Sequence, residues 1–248
     1  MRAIPTERGL LSAEEVVRHL RPVSPNAAAT GAVEIEQTHN MGGGTVYPMR
    51  TVCEICDAAH ERGVRVHMDG ARIFNASAAL GIPVHEIASR VDTVMFCLSK
   101  ALGAPAGSML AGPADLIAKG RLYRKRLGGG MRQAGILAAA GLVALEESPA
   151  QLPVDHANAR FLAESFARIS GVAVDPAAVD TNIVVFDISA TGRATADVSA
   201  QLRAQGVLIN PIGPRAMRAV THYDVNRDQC AQAIAALSAI LTTPGART

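Results

Sequence analysis

Short apolar runs alternate with longer amphipathic stretches along the first 148 residues. Thr93–Leu98 (TVMFCL) is continuously apolar, the pattern of a strand buried on both faces. Ala32–Thr38, Val64–Met68 and Gly107–Ala111 also read as strands. Between them lie helix signals. Ser12-Ala-Glu-Glu15 is a capping box ahead of Val16, Val17 and Leu20, with Pro22 as the stop. Pro48 suits the first turn of a helix ending near Gly63, and another helix runs from just after Asp69-Gly70 to Gly81. Helices are expected over 113–127 and 131–147. Strands alternating with helices predict βαβ units and a mostly parallel sheet.

The texture changes after Pro149. A helix over about 151–170 precedes strands at 172–175 and 182–188. A helix near 194–205, strands near 207–210 and 218–223 and a final helix follow. The expected organisation is a large α/β domain over 1–148 and a smaller α/β domain over 149–248.

Composition narrows the function classes. Across 248 residues, 24 Lys+Arg against 22 Asp+Glu leave a formal charge of +2, too balanced for a nucleic-acid footprint. Apolar residues at 49% and charged residues at 19% argue against disorder. The longest apolar stretch, Ile136–Leu145, falls well short of the roughly 20 residues a bilayer needs. The start carries no apolar signal region, and Cys53, Cys56, Cys97 and Cys230 form no disulfide framework. The expectation is a cytoplasmic protein without a membrane or nucleic-acid partner.

Three strand ends carry polar groups together: Glu36-Gln-Thr-His39-Asn40, His67-Met-Asp69-Gly70-Ala71-Arg72 and Cys97-Leu-Ser99-Lys100. Ligands of open α/β sheets bind at the carboxyl ends of strands. A lysine directly after an apolar strand is expected to be desolvated, which lowers its pKa and improves it as a nucleophile. Asp69 on the neighbouring strand, 31 residues before Lys100, matches what pyridoxal phosphate requires: a lysine for the Schiff base and an acid to keep the pyridine nitrogen protonated. Equally, Asp69 can cap the next helix and pair with Lys100 as a structural ion pair, and His39 can be a strand-end histidine held for structure. Gly42-Gly43-Gly44-Thr45 lacks phosphate-loop spacing and reads as a flexible turn. Cys53, Cys56 and His60 share a helical face, but without a fourth ligand no metal site is expected. Arg121, Arg124, Lys125, Arg126 and Arg132 read mainly as a solvated face, with Arg126 and Arg132 the better placed to approach a phosphate or a neighbouring subunit.

Several motifs in fixed order resemble the low-specificity L-threonine aldolases: His67–Ala76 (HMDGARIFNA), Cys97–Gly103 (CLSKALG), Gly128–Gly135 (GGGMRQAG), Glu36–Asn40 (EQTHN) and Arg218–Val225 (RAVTHYDV). These belong to the β-eliminating lyase group of pyridoxal-phosphate enzymes. The resemblance implies the aspartate-aminotransferase type of fold (fold type I), with an incomplete large domain and a small C-terminal domain. It also implies cleavage of L-threonine or L-allo-threonine to glycine and acetaldehyde. Lys100 would bind the cofactor, Asp69 its pyridinium, and Ser99 its phosphate, with Arg72 also among the cofactor-binding residues. Arg72 and Arg218 would grip the substrate carboxylate, and His39 would accept the hydroxyl proton. A homo-oligomer, dimer or tetramer, is implied for the full-length protein.

Two departures stand out. Gln37 occupies a position where the family usually has Asn. Family members also begin well before this chain, and that earlier part carries the Gly-Thr turn around the phosphate and the histidine that stacks on the cofactor ring. The strands 32–38, 64–68, 93–98 and 107–111 would then lie side by side in the middle of a larger sheet, with unpaired edges, in a chain prone to associate or dependent on a partner, weak in cofactor binding and low in aldolase activity. The alternatives are another fold-type-I reaction, β-elimination or transamination, and a non-catalytic truncated fragment.

Overall fold

A computed structural model describes residues 2–242, in two compact units. The first comprises the chain up to Gly42 together with Val46–Ala150; the second takes Gly43–Thr45 and the chain from Gln151 onward.

In the first unit, α1 (Ala13–His19) starts at Ser12, whose Oγ accepts from Glu15 N at 3.2 Å while Glu15 Oε2 accepts from Ser12 N at 2.8 Å. This is the reciprocal cap its sequence announces. Then follow β1 (Ala32–Glu36), α2 (Met49–His60), β2 (Arg65–Asp69), α3 (Ile73–Leu80), α4 (Val84–Ala88), β3 (Thr93–Cys97), β4 (Ser108–Ala111), α5 (Ala114–Arg126) and α6 (Gly135–Glu147). The sheet order is β1-β2-β3-β4; the first three strands are parallel and β4 runs antiparallel to β3. Val33, Ile35, Val66, Met68 and Val94 on the strands pack with Val52, Ile55, Cys56 and Ala59 of α2, Ile73 and Ala76 of α3 and Ile87 of α4. Each fully buried Val, Ile or Met there contributes about 1.5–3 kcal/mol.

The opposite face is different. Glu34, His67 and Thr93 lie on it, with His67 Nδ1 2.8 Å from Thr93 Oγ1. Burial of Thr93–Leu98 on both faces is therefore not observed: only Val94 and Leu98 are buried. Every residue of β4 is exposed, and α5 buries none of its side chains.

The second unit contains α7 (Leu152–Phe166), β5 (Ile183–Asp187), α8 (Thr195–Ala204), β6 (Asn210–Pro211), β7 (Ala216–Val220) and α9 (Arg227–Thr242). Its sheet, β5-β7-β6, is antiparallel throughout. The core joins Leu162 and Phe166 to Phe186, Leu202, Met217 and Leu237, with the Phe166 and Phe186 rings 4.9 Å apart. Two expected strands shrink. The 172–175 segment makes a single bridge, Ala173 with Asp187. The 207–210 segment keeps only Asn210–Pro211, where the proline nitrogen has no proton to donate. Gly43 and Gly44 have φ of +88° and +77°, and a Cβ on Gly44 would stand 2.3 Å from Thr181 Oγ1, so glycine here permits close packing against the start of β5.

Candidate active site

The carboxyl ends of β1, β2 and β3 stand side by side, because parallel pairing sets Glu36 opposite Asp69 and Asp69 opposite Met95. The polar groups expected on β1 and β2 form one connected array. Glu36 Oε1 accepts from Asn40 N at 2.9 Å, and Glu36 Oε2 lies 3.4 Å from His39 Nε2. His39 Nδ1 accepts from Gly42 N at 2.9 Å, which leaves the proton of the neutral ring on Nε2. Asn40 Oδ1 in turn accepts from Arg72 Nη1 at 3.5 Å. Both His39 and Glu36 are about a quarter exposed, so the array is open to a ligand.

Asp69 is positioned by its backbone. Its Oδ1 accepts from Ala71 N at 3.0 Å, leaving the second oxygen outside that bond. The next residue, Gly70, donates to Met95 O at 2.8 Å, and a Cβ there would meet that same carbonyl at 2.8 Å. Only glycine lets β2 turn so close to β3 immediately after the carboxylate.

Ser99 and Lys100 begin the loop that leaves β3, held by Leu98 N to Gly107 O at 3.0 Å and Ala104 N to Leu98 O at 3.0 Å. Contrary to expectation, Lys100 is exposed rather than desolvated, since the face of the sheet it leaves is uncovered. Nor does it form an ion pair with Asp69. Ser99 Oγ donates weakly to Gly107 O at 3.5 Å. Thus His39, Asp69, Arg72, Ser99 and Lys100 all belong to strand ends or turns of the first unit. Arg218 belongs to the second, half-buried on the central strand β7 between Val185 and Asn210.

Other sequence candidates take structural places. Cys56 is buried, which pushes its thiol up to about 11, and His60 Nε2 sits 2.8 Å from Asp92 Oδ2. No three metal-ligating side chains cluster among the described residues. Arg121, Arg124, Lys125, Arg126 and Arg132 are exposed, with the Arg126 guanidinium 5.7 Å from the Tyr123 ring centroid. Sequence reasoning missed Gly9, which lies against the His39 ring, and Tyr47, whose hydroxyl donates to Gly9 O; an isolated Gly9 ahead of the α1 cap was the only local signal.

The fold defines the class first: its likeness to solved structures makes it a fold-type-I α/β architecture. A Leishmania major threonine aldolase structure aligns with a TM-score of 0.77 at 18% identity, covering 96% of this chain and 70% of that one. An SPT structure bearing PLP as an internal aldimine aligns with a TM-score of 0.68 at 19% identity, covering 92% of this chain and 58% of that one. Residues 1–189 match the β-eliminating lyase family model, and the chain belongs to that family. An Arabidopsis thaliana relative named low-specificity L-threonine aldolase 1 is 41% identical over 198 residues, 79% of this chain and 55% of its own length. The chain thus spans about half the length of that relative.

Proposed function

We propose that this chain carries the lyase machinery of a pyridoxal-phosphate-dependent threonine aldolase, cleaving L-threonine or L-allo-threonine to glycine and acetaldehyde. The observation that carries the reading is the pair Asp69 and Lys100 at the ends of the adjacent parallel strands β2 and β3. The donor set supports the cofactor: a solvent-accessible amine at Lys100, a carboxylate with an uncommitted oxygen at Asp69, and a hydroxyl at Ser99. Such a cofactor supplies an electron sink for the charge left on the amino-acid α-carbon.

The chain's own residues supply the rest. The resemblance to the family gives Arg72 and Arg218 the role of gripping the substrate carboxylate, a group that guanidinium forks suit. His39 is the acceptor for the β-hydroxyl proton, directly or through water. Proton uptake at Nδ1 gives up the Gly42 bond, and the Glu36 carboxylate beside Nε2 offsets the resulting charge. A cytoplasmic setting goes with this reading, and the four free cysteines support it. A homo-oligomer also belongs to it, supported by the exposed apolar side chains Met109, Leu122, Leu127 and Ile136 of β4, α5 and α6 and the turn after α5.

The test is product identity. The chain is incubated with pyridoxal phosphate and each threonine diastereomer, and glycine and acetaldehyde are quantified. Equal amounts of both, abolished in Lys100→Ala, are expected. A keto acid product would replace the reading by elimination or transamination, and no turnover with unchanged cofactor spectra would point to a non-catalytic chain.

A further inference from the structure

The turn Glu7–Leu10 rests on His39. Leu10 N donates to Glu7 O at 3.4 Å, and the intervening Arg8 and Gly9 have φ of +56° and +78°. Two successive left-handed residues make a primed turn, which glycine tolerates best. Conformation is only half of the demand at Gly9. A Cβ there would stand 2.2 Å from His39 Cγ and 2.4 Å from Cδ2 and Nδ1, so the bare glycine lies directly against the imidazole.

The turn is tied down from the far side. Tyr47, buried to 1% exposure, donates its hydroxyl to Gly9 O at 2.9 Å and accepts from Leu11 N at 2.8 Å. Burial pushes its phenol pKa up, which keeps it a neutral donor. Tyr47 is held in turn by the buried Gln37, whose Oε1 accepts from Tyr47 N at 2.9 Å and whose Nε2 donates to Tyr47 O at 3.2 Å. Gln37 lies two residues before His39. The contacts therefore close a ring, from Gln37 to Tyr47 to Gly9 to His39 and back along the chain. The extra methylene that distinguishes Gln37 from an asparagine lengthens the arm that clasps the Tyr47 backbone.

We propose that Gly9 is a positioning residue for His39: the glycine turn, anchored by Tyr47, fixes the imidazole with Nδ1 on the Gly42 amide and Nε2 toward Glu36. The inference rests on the reading of His39 as proton acceptor given above. A side chain at position 9 displaces the ring and moves both nitrogens together, while the strand ends carrying Asp69 and Lys100 stay where they are. A glycine needed only for its turn would behave otherwise, because asparagine also adopts the left-handed conformation.

Gly9→Asn retains that tolerance but adds the Cβ, and Tyr47→Phe removes the anchor while keeping the glycine. The ring nitrogens of His39 are followed by long-range ¹H–¹⁵N spectra of the cofactor-free protein, assigned with His39→Gln. In both variants we expect the His39 signals to leave the pattern of an Nε2-protonated ring, with other amide signals retained. With cofactor and threonine, kcat should fall roughly tenfold or more while KM changes little. His39 signals unmoved in both variants would overturn the positioning role. Displaced His39 signals with unchanged kcat would uphold the positioning role and overturn instead the assignment of His39 as proton acceptor.

Discussion

His39 shows how little a residue type says before its partners are known. Both ring nitrogens are engaged, by Gly42 and toward Glu36, so the ring arrives at its task oriented rather than free. Asp155 is the opposite case. It lies in the first turn of α7 at 0% exposure, and neither carboxylate oxygen has a hydrogen-bond partner of good geometry among the described residues. Desolvation pushes its pKa up, and the nearby Gln151 amide and His222 ring offset that only in part. The helix N-terminus favours a negative charge by a few tenths of a kcal/mol, less than an unpaired buried carboxylate costs. Asp155→Asn should therefore raise stability at pH 7 by on the order of 1 kcal/mol, read by urea unfolding. A destabilised variant would mean that the carboxylate has a partner in solution and would refute this account.

At the scale of elements, the local signals held and the non-local ones did not. The Ser12–Glu15 cap and the left-handed Gly81 after α3, at φ +67°, were legible because each is decided within a few residues. Burial of Thr93–Leu98 on both faces failed because apolarity reports side-chain type, not whether a second layer lies above Met95 and Cys97. The expected desolvation of Lys100 failed with it. Helix α4 was missed; it is one short turn after Pro83 with no room for a periodicity. The Tyr47 contacts to Gly9 and Leu11 span 38 and 36 residues, a distance at which no sequence pattern operates. Asp69-Gly70 joins both kinds of signal, since the dipeptide was visible while its reason was not. Gly70→Ala would set a Cβ 2.8 Å from Met95 O and 3.1 Å from Ile73 Cβ, both part of rigid elements. We expect a loss of about 2 kcal/mol and weakened cofactor binding as Asp69 shifts. Gly135→Ala, with nothing within 4 Å at the start of α6, should be neutral or stabilising. Thermal melts of the two variants decide it: equal melting temperatures would refute the close-approach argument.

At the scale of the whole molecule, the two units carry different acid sensitivities. In the second unit, burial lowers the pKa of His156 on α7 from 6.5 to about 4. Between those values the unfolded chain binds more protons than the folded one, so stability falls as pH drops through that window. Partial exposure of the ring limits the loss to on the order of 2 kcal/mol. Asp155 acts in the reverse sense. Its raised folded pKa lets the native unit hold a proton longer than the unfolded chain, so it adds stability as pH falls through that value. In the first unit, Asp92 accepts from Val66 N at 2.7 Å and faces His60; although desolvation opposes it, these contacts hold its carboxyl below the usual 3.8. That contribution persists until the pH falls below the ordinary carboxylate range. Urea unfolding at pH 7 and pH 5, followed by hydrogen exchange of peptides from each unit, should therefore show α7, β5 and α9 losing protection first. His156→Gln should flatten the pH dependence of the second unit, whereas Asp155→Asn should steepen it by removing the opposing contribution. Equal loss in both units at pH 5, or an unaltered slope in His156→Gln, would show that burial of this imidazole does not set the acid limit.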